Sequence, residues 1–148
     1  MIDGLILQAA VLIGPVTAGS VVTAHATVAA SQIPKRWQKF AACVSHRESH
    51  GNYRARNRSG ESSAMGRWQF LDNTGRRGLS YMVRDRLIAK GMDKPTAKSI
   101  QRKLAKTPIQ KWAPWAQDAG FVAVITSDDG KGWRHWANGG RCDRLAVR

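Results

Sequence analysis

Only two glutamates occur in this chain of 148 residues, Glu48 and Glu61. Glu48 lies in His46-Arg47-Glu48-Ser49-His50, just ahead of Gly51-Asn52-Tyr53. The run 34–50 has helical spacing. Trp37, Phe40, Ala41, Val44 and Glu48 recur at i, i+3, i+4, i+7 and i+11, which places them on one stripe. Pro34 suits the first turn of that helix and Gly51 its C-terminal stop. Glu48 is therefore the only acid of its helix, on the apolar face, in the last turn. A carboxyl there is expected to be desolvated and to meet the negative end of the helix dipole, and both favour its protonated form. Such an environment suits a general acid. The alternative is a structural glutamate neutralised by one of the many arginines.

Paired-carboxylate chemistry on a glycosidic bond requires a second acid near the first. The candidates are Glu61, in a polar Arg-Ser-Gly-Glu-Ser-Ser run, and Asp72, which equally suits the N-cap of a following helix. Neither stands out. The histidines either side of Glu48 suggest a metal, but metalloprotease motifs set a glutamate directly beside a histidine. Here Glu48 lies about 160° around the helix from His46 and from His50. Those histidines share their side with Cys43, which leaves a metal face as an alternative. Cys43 and Cys142 are the only cysteines. They form either one bridge, which needs an oxidising compartment, or two unrelated buried thiols.

The elements that must position these groups fit one small domain. All 24 Lys and Arg lie beyond residue 34 with nine of the ten acids, so residues 35–148 carry a net +15. Such a surface seeks polyanions: nucleic acid, anionic membrane or cell wall. No nucleic-acid motif accompanies the charge. Residues 4–34 contain no Lys, Arg, Asp or Glu. Within them 5–16 are largely apolar, and Ala-x-Ala-like endings occur at Ala26 and Ala30. The expected reading of residues 1–34 is an export signal, although Met-Ile-Asp-Gly lacks the usual basic start. A membrane anchor or a retained arm that packs on a virion partner are the alternatives. Further helices are expected over 79–90 and 95–106, then from Pro108 and from Pro114. Residues 121–126 are ambiguous between helix and strand.

Glu48-Ser49-His50-Gly51-Asn52-Tyr53 resembles the E-S-x-G-x-Y signature of lysozyme-like lytic transglycosylases and resuscitation-promoting factors. Gly66-Arg67-Trp68-Gln69-Phe70 is similar to their G-x-x-Q-F element, about 20 residues later. The segment with Gln117, Gly132-Trp133 and His135-Trp136 before Cys142 is similar to the Trp-rich, Cys-closed ends of secreted actinobacterial and phage members. The resemblance covers 37–142. It implies a mainly α fold of the lysozyme-like α+β superfamily with little or no β-sheet, residues 35–148 forming the catalytic domain and 121–126 helical. It implies a cleft between Glu48 and residues 62–74, with Glu48 as acid and base. Ser49, Tyr53, Gly66, Trp68 and Gln69 would bind substrate. Asn138, in Asn138-Gly139-Gly140, matches a further Y-N-x-G element, with Ala137 where the aromatic belongs.

The implied substrate is the glycan strand of peptidoglycan, cut after N-acetylmuramic acid by a single glutamate without cofactor or metal. Anionic wall polymers would be secondary partners. The location would be the cell wall outside the cell, or a phage tail. The competing expectations are a basic nucleic-acid-binding or virion structural protein without activity, and a domain that binds glycan without cutting it.

Overall fold

A computed structural model describes residues 18–57, 59–137 and 140–146. Among them are five α-helices and one two-stranded ribbon: α1 Ala18–Ser31, α2 Gln38–Ser49, β1 Ala64–Met65, β2 Phe70–Leu71, α3 Asp72–Ala89, α4 Lys94–Lys106 and α5 Pro114–Ile125. Short 3-10 turns fill the connections, and the chain after α5 is built of them: Asp128–Gly130, Gly132–Trp136 and Arg141–Leu145. The protein is a small mainly α domain, as expected.

Local chemistry sets most helix ends. Asp93 caps α4 by accepting a hydrogen bond from the Thr96 amide (2.9 Å), which holds its carboxyl below the ordinary value. Pro95 and Pro114 occupy first turns, where no amide proton is needed. α2 starts later than the spacing suggests, because Lys35–Trp37 winds as a 3-10 turn. It also stops one residue earlier. His50 adopts the left-handed conformation and Gly51 follows it there, with their amides bonded back to His46 and Ser45 carbonyls. Residues 121–126 are helical up to Ile125.

α3 is seven residues longer at its start than 79–90 predicts. Asp72 fixes that start, though not as an N-cap. Its carboxylate accepts from the Ile109 amide (2.8 Å) and pairs with Arg76 (3.1 Å), so it ties the helix to the turn before α5. Around this frame lies an aromatic core. Trp68 stacks on Phe121 at 3.7 Å between ring centres; Phe40, Trp37 and Trp136 pack around the pair. The stripe of α2 faces this core through Trp37, Phe40, Ala41 and Val44, all buried.

The charge-free segment is partly described. α1 lies against α5 and α3, with Ala26 and Ala30, one turn apart on one face, fully buried. Arg86 donates to the Ala30 carbonyl (2.5 Å), satisfying a free end of the helix. No described helix is long and apolar enough to cross a membrane.

Cys43 and Cys142 are bonded, with Cα atoms 5.6 Å apart, and hold the last 3-10 turn against α2. The bond closes a loop across 99 positions. In the chain-entropy account, a loop that long stabilises by about 4–5 kcal/mol. Replacing both cysteines by serine should lower stability by about that amount in denaturant titrations. The wild type under reducing conditions should match the variant.

Candidate functional site

Glu48 leaves the last turn of α2 half-buried, with about a quarter of its side chain exposed. Its carboxylate is not isolated. Arg47 donates to Oε1 through Nε (2.9 Å) and Nη2 (2.7 Å), and the same Nη2 donates to the Trp136 carbonyl (2.7 Å). Of the two expectations, a desolvated acid or a glutamate neutralised by an arginine, the structure shows the arginine pair, partly exposed. The stripe ends at Val44. One turn further on, the helix emerges from the core, and Glu48 meets solvent and an arginine.

Trp136 belongs to a groove of about 420 Å³. Gln69, Phe70 and Leu71 form one wall, Gly75 and Gly78 part of the floor, and His135 and Trp136 the end nearest Arg47. Phe70 and Trp136 meet edge to face at 5.6 Å. Among the described residues, no aspartate or glutamate lines this groove. Gln69, held at φ 51°, donates its amide to the Gly66 carbonyl (2.9 Å) and presents the rest of its side chain to the cavity.

Behind the rim lies a polar cluster that joins α2, the ribbon and α5. Asp118 accepts from the Tyr53 hydroxyl (2.7 Å) and the Trp68 indole (3.0 Å). It also pairs with Arg67 at 3.4 Å. Arg67 donates to Tyr53 Oη (2.6 Å) and Ser45 Oγ (2.8 Å), and its guanidinium lies over the Tyr53 and Trp68 rings. Burial and the neighbouring Asp118 carboxylate raise the Tyr53 phenol above its ordinary value. Beside this cluster, the fully buried Gln117 accepts from the Arg67 amide (2.9 Å). It donates to the carbonyls of Tyr53 and Ile109, each at 3.0 Å.

Several residues expected to touch substrate serve this cluster instead. Trp68 is wholly buried, with Phe121 stacked on it and Arg67 over its ring, so no face is open to a sugar. Tyr53 spends its hydroxyl on Asp118 and Arg67. Ser49 donates to the Arg67 carbonyl (2.7 Å). Gly66, at φ 78°, allows a close approach, but the approaching group is the Gln117 amide. Only Gln69 of that set lines the groove.

Neither second-carboxylate candidate faces Glu48 across the groove. Both Asp72 oxygens are engaged at the start of α3, and Glu61 is exposed in the loop before β1. The disulfide removes Cys43 as a thiolate ligand, and among the described residues no group of three His, Cys, Asp or Glu is placed to hold a metal. His46 and His50 pack edge to face at 4.9 Å. Asn138 lies outside the described residues.

Arg47 and Asp118 were given no role by sequence reasoning, and Trp136 was noted only as part of the Trp-rich segment. Asp118 carried a usable signal, as the one charge in the apolar run 114–125. A charge there must find partners inside the protein.

Asp118→Asn should cost about 2–3 kcal/mol, because it leaves Arg67 half-buried without its anion. Gly66→Ala should cost about 2–4 kcal/mol through its left-handed backbone and the collision with Gln117. Both are read as shifts of the urea midpoint at unchanged slope. Compared with known proteins, the chain matches no family model, no curated sequence and no solved structure.

Proposed function

We propose that this protein cleaves the glycan strand of peptidoglycan at the bond following N-acetylmuramic acid, with Glu48 as the only acid and base. The observation that carries the proposal is the placing of Glu48. Arg47, which pairs with its carboxylate, also donates to the carbonyl of Trp136, a residue that lines a groove with aromatic and glycine surfaces. Apolar walls with a few fixed polar groups suit a sugar, whose ring faces are apolar and whose edges are polar. The resemblance around Glu48 and Gly66-Arg67-Trp68-Gln69-Phe70 supports the same assignment.

In the proposed reaction the strand lies along the groove, with Gln69 beside an acetamido group. Glu48, taking a proton from solvent as it leaves Arg47, gives it to the bridging oxygen as the bond from that oxygen to C1 breaks. The glucosamine part departs as an alcohol. The carboxylate then takes the proton of the muramic 6-hydroxyl as that oxygen bonds to C1, and Glu48 ends protonated, as it was before the transfer. The product is a 1,6-anhydro sugar. Arg47 also donates to the Trp136 carbonyl, so it stays anchored there when Glu48 turns to the substrate.

A hydrolase of the paired-carboxylate kind needs a second acid. The engagement of Asp72 and Asp118 and the outward position of Glu61 favour the transglycosylase. No cofactor enters the scheme. The substrate places the protein outside the cell, in the wall or on a virion, where the basic body would also attract anionic wall polymers. The net charge of +14 also favours a second reading, a nucleic-acid-binding or virion structural protein without activity.

Glu48→Gln should slow digestion of purified peptidoglycan by about 10²–10⁴-fold, the usual worth of a general acid–base. Normal activity in that variant would remove Glu48 from the mechanism. Mass spectrometry of wild-type digests should find anhydro-muropeptides; reducing ends alone would make the enzyme a hydrolase. Salt-sensitive retention of DNA with no glycan cleavage would support the second reading.

A further inference from the structure

A second depression adjoins the end of α2. Ser49, His50, Asn52, Arg54, Ala55, Arg56 and Asn57 line it, and its character is polar where the groove is apolar. The last turn of α2 joins the two. Arg47 reaches Trp136 in the groove wall, while Ser49 and His50 line the polar depression. Ser49 directly follows Glu48 in the chain, so the lining of the depression begins one residue from the proposed catalyst.

The chain that forms this depression is built to face its cations outward. Residues 53–57 run alongside the ribbon. Gly66 donates to the Ala55 carbonyl (2.8 Å), Asn57 donates to the Ala64 carbonyl (3.1 Å), and Arg56 bridges to Met65. Asn52 and Asn57 fix the two ends, each accepting from the amide two residues on. Arg54 lies in the turn closed by the Ala55 amide donating to the Asn52 carbonyl (3.2 Å). Tyr53 turns inward to Asp118, and Arg54 and Arg56 are exposed. Neither guanidinium meets a carboxylate among the described residues.

We infer that this depression binds carboxylates of the peptide stem carried by the muramic residue being cut. The inference rests on the glycan-cleaving reading of Glu48. In peptidoglycan the stem joins the muramic ring at C3 through its lactyl ether, on the same ring whose C1 is attacked. A ring placed against Glu48 therefore projects its stem within a few ångströms of the catalytic carboxyl. Of the groove and the polar depression, only the depression has Arg or Lys among its lining residues. Arg54 and Arg56 would be specificity-determining residues that select strands still bearing stems over stripped ones.

The test compares two substrates, peptidoglycan with its stems intact and the same glycan after amidase removal of the stems. Wild type should show kcat/KM about five- to tenfold higher on the stem-bearing strands, the worth of two exposed charge pairs. The Arg54→Gln/Arg56→Gln double variant should lose that preference and keep its rate on stripped glycan. Arg54→Lys/Arg56→Lys should retain most of the preference. Equal wild-type rates on both substrates would overturn the inference, as would a preference that survives in the Gln variant. Loss of both rates together in the Gln variant would also overturn it, since it assigns the arginines to the fold or the glycan. So would a fall in DNA retention in that variant with its substrate preference unchanged. Failure of wild type to cut either substrate would instead overturn the glycan-cleaving reading itself.

Discussion

A carboxylate set into an otherwise apolar helix has to be satisfied from outside that helix. The way Asp118 is satisfied decides where everything near Glu48 sits. Tyr53 comes from the chain just after α2, and Arg67 and Trp68 from the turn of the ribbon. Two separate stretches therefore converge on one side chain of α5. Arg67 carries the constraint back to α2 through Ser45. Buried polar groups of this kind tolerate few alternative arrangements, because each unsatisfied member costs about 1–3 kcal/mol. Rigidity at this point fixes the ribbon, and the ribbon fixes Gln69 and Phe70 in the groove wall.

Gln117 is the neighbour that makes the arrangement exclusive. Its amide serves the Arg67 amide and the carbonyls of Tyr53 and Ile109 from a fully buried position. Only a residue without a side chain can pass it, which is why the tight turn of the ribbon begins at Gly66. The requirement is internal to the fold. A glycine followed three residues later by glutamine can thus signal a turn that wraps around a buried amide, while the glutamine alone reaches the cavity.

Much of the frame was legible from periodicity, and the parts that were not have physical reasons. The buried stripe of α2, the latter part of α3 and the whole of α4 follow apolar spacing closely. The first seven residues of α3 do not, since Gly75, Arg76, Arg77 and Gly78 dilute the pattern, and glycine is a poor helix former. Tertiary ties through Asp72 hold that part helical. α1 lacked the charges that mark one face of a surface helix; its docking relies on two alanines a turn apart. In the site, the position of Glu48 at the helix end was readable. Its bond to the adjacent arginine was not, because successive residues on a helix point about 100° apart and spacing rules do not pair them. The aromatics offered to sugar by motif position turned out to be core, and aromatic type alone does not separate those roles.

The bond between Cys43 and Cys142 encloses nearly the whole working part of the molecule in one covalent ring. Glu48, the ribbon, the groove walls and both arginines of the polar depression lie inside it. So does the exposed stretch around Gly60 and Glu61. A single peptide-bond break there would open the ring without releasing a fragment. The two pieces would remain tethered beside α2 and held together by the same core, so the protein can lose its chain continuity at that loop and still be one molecule.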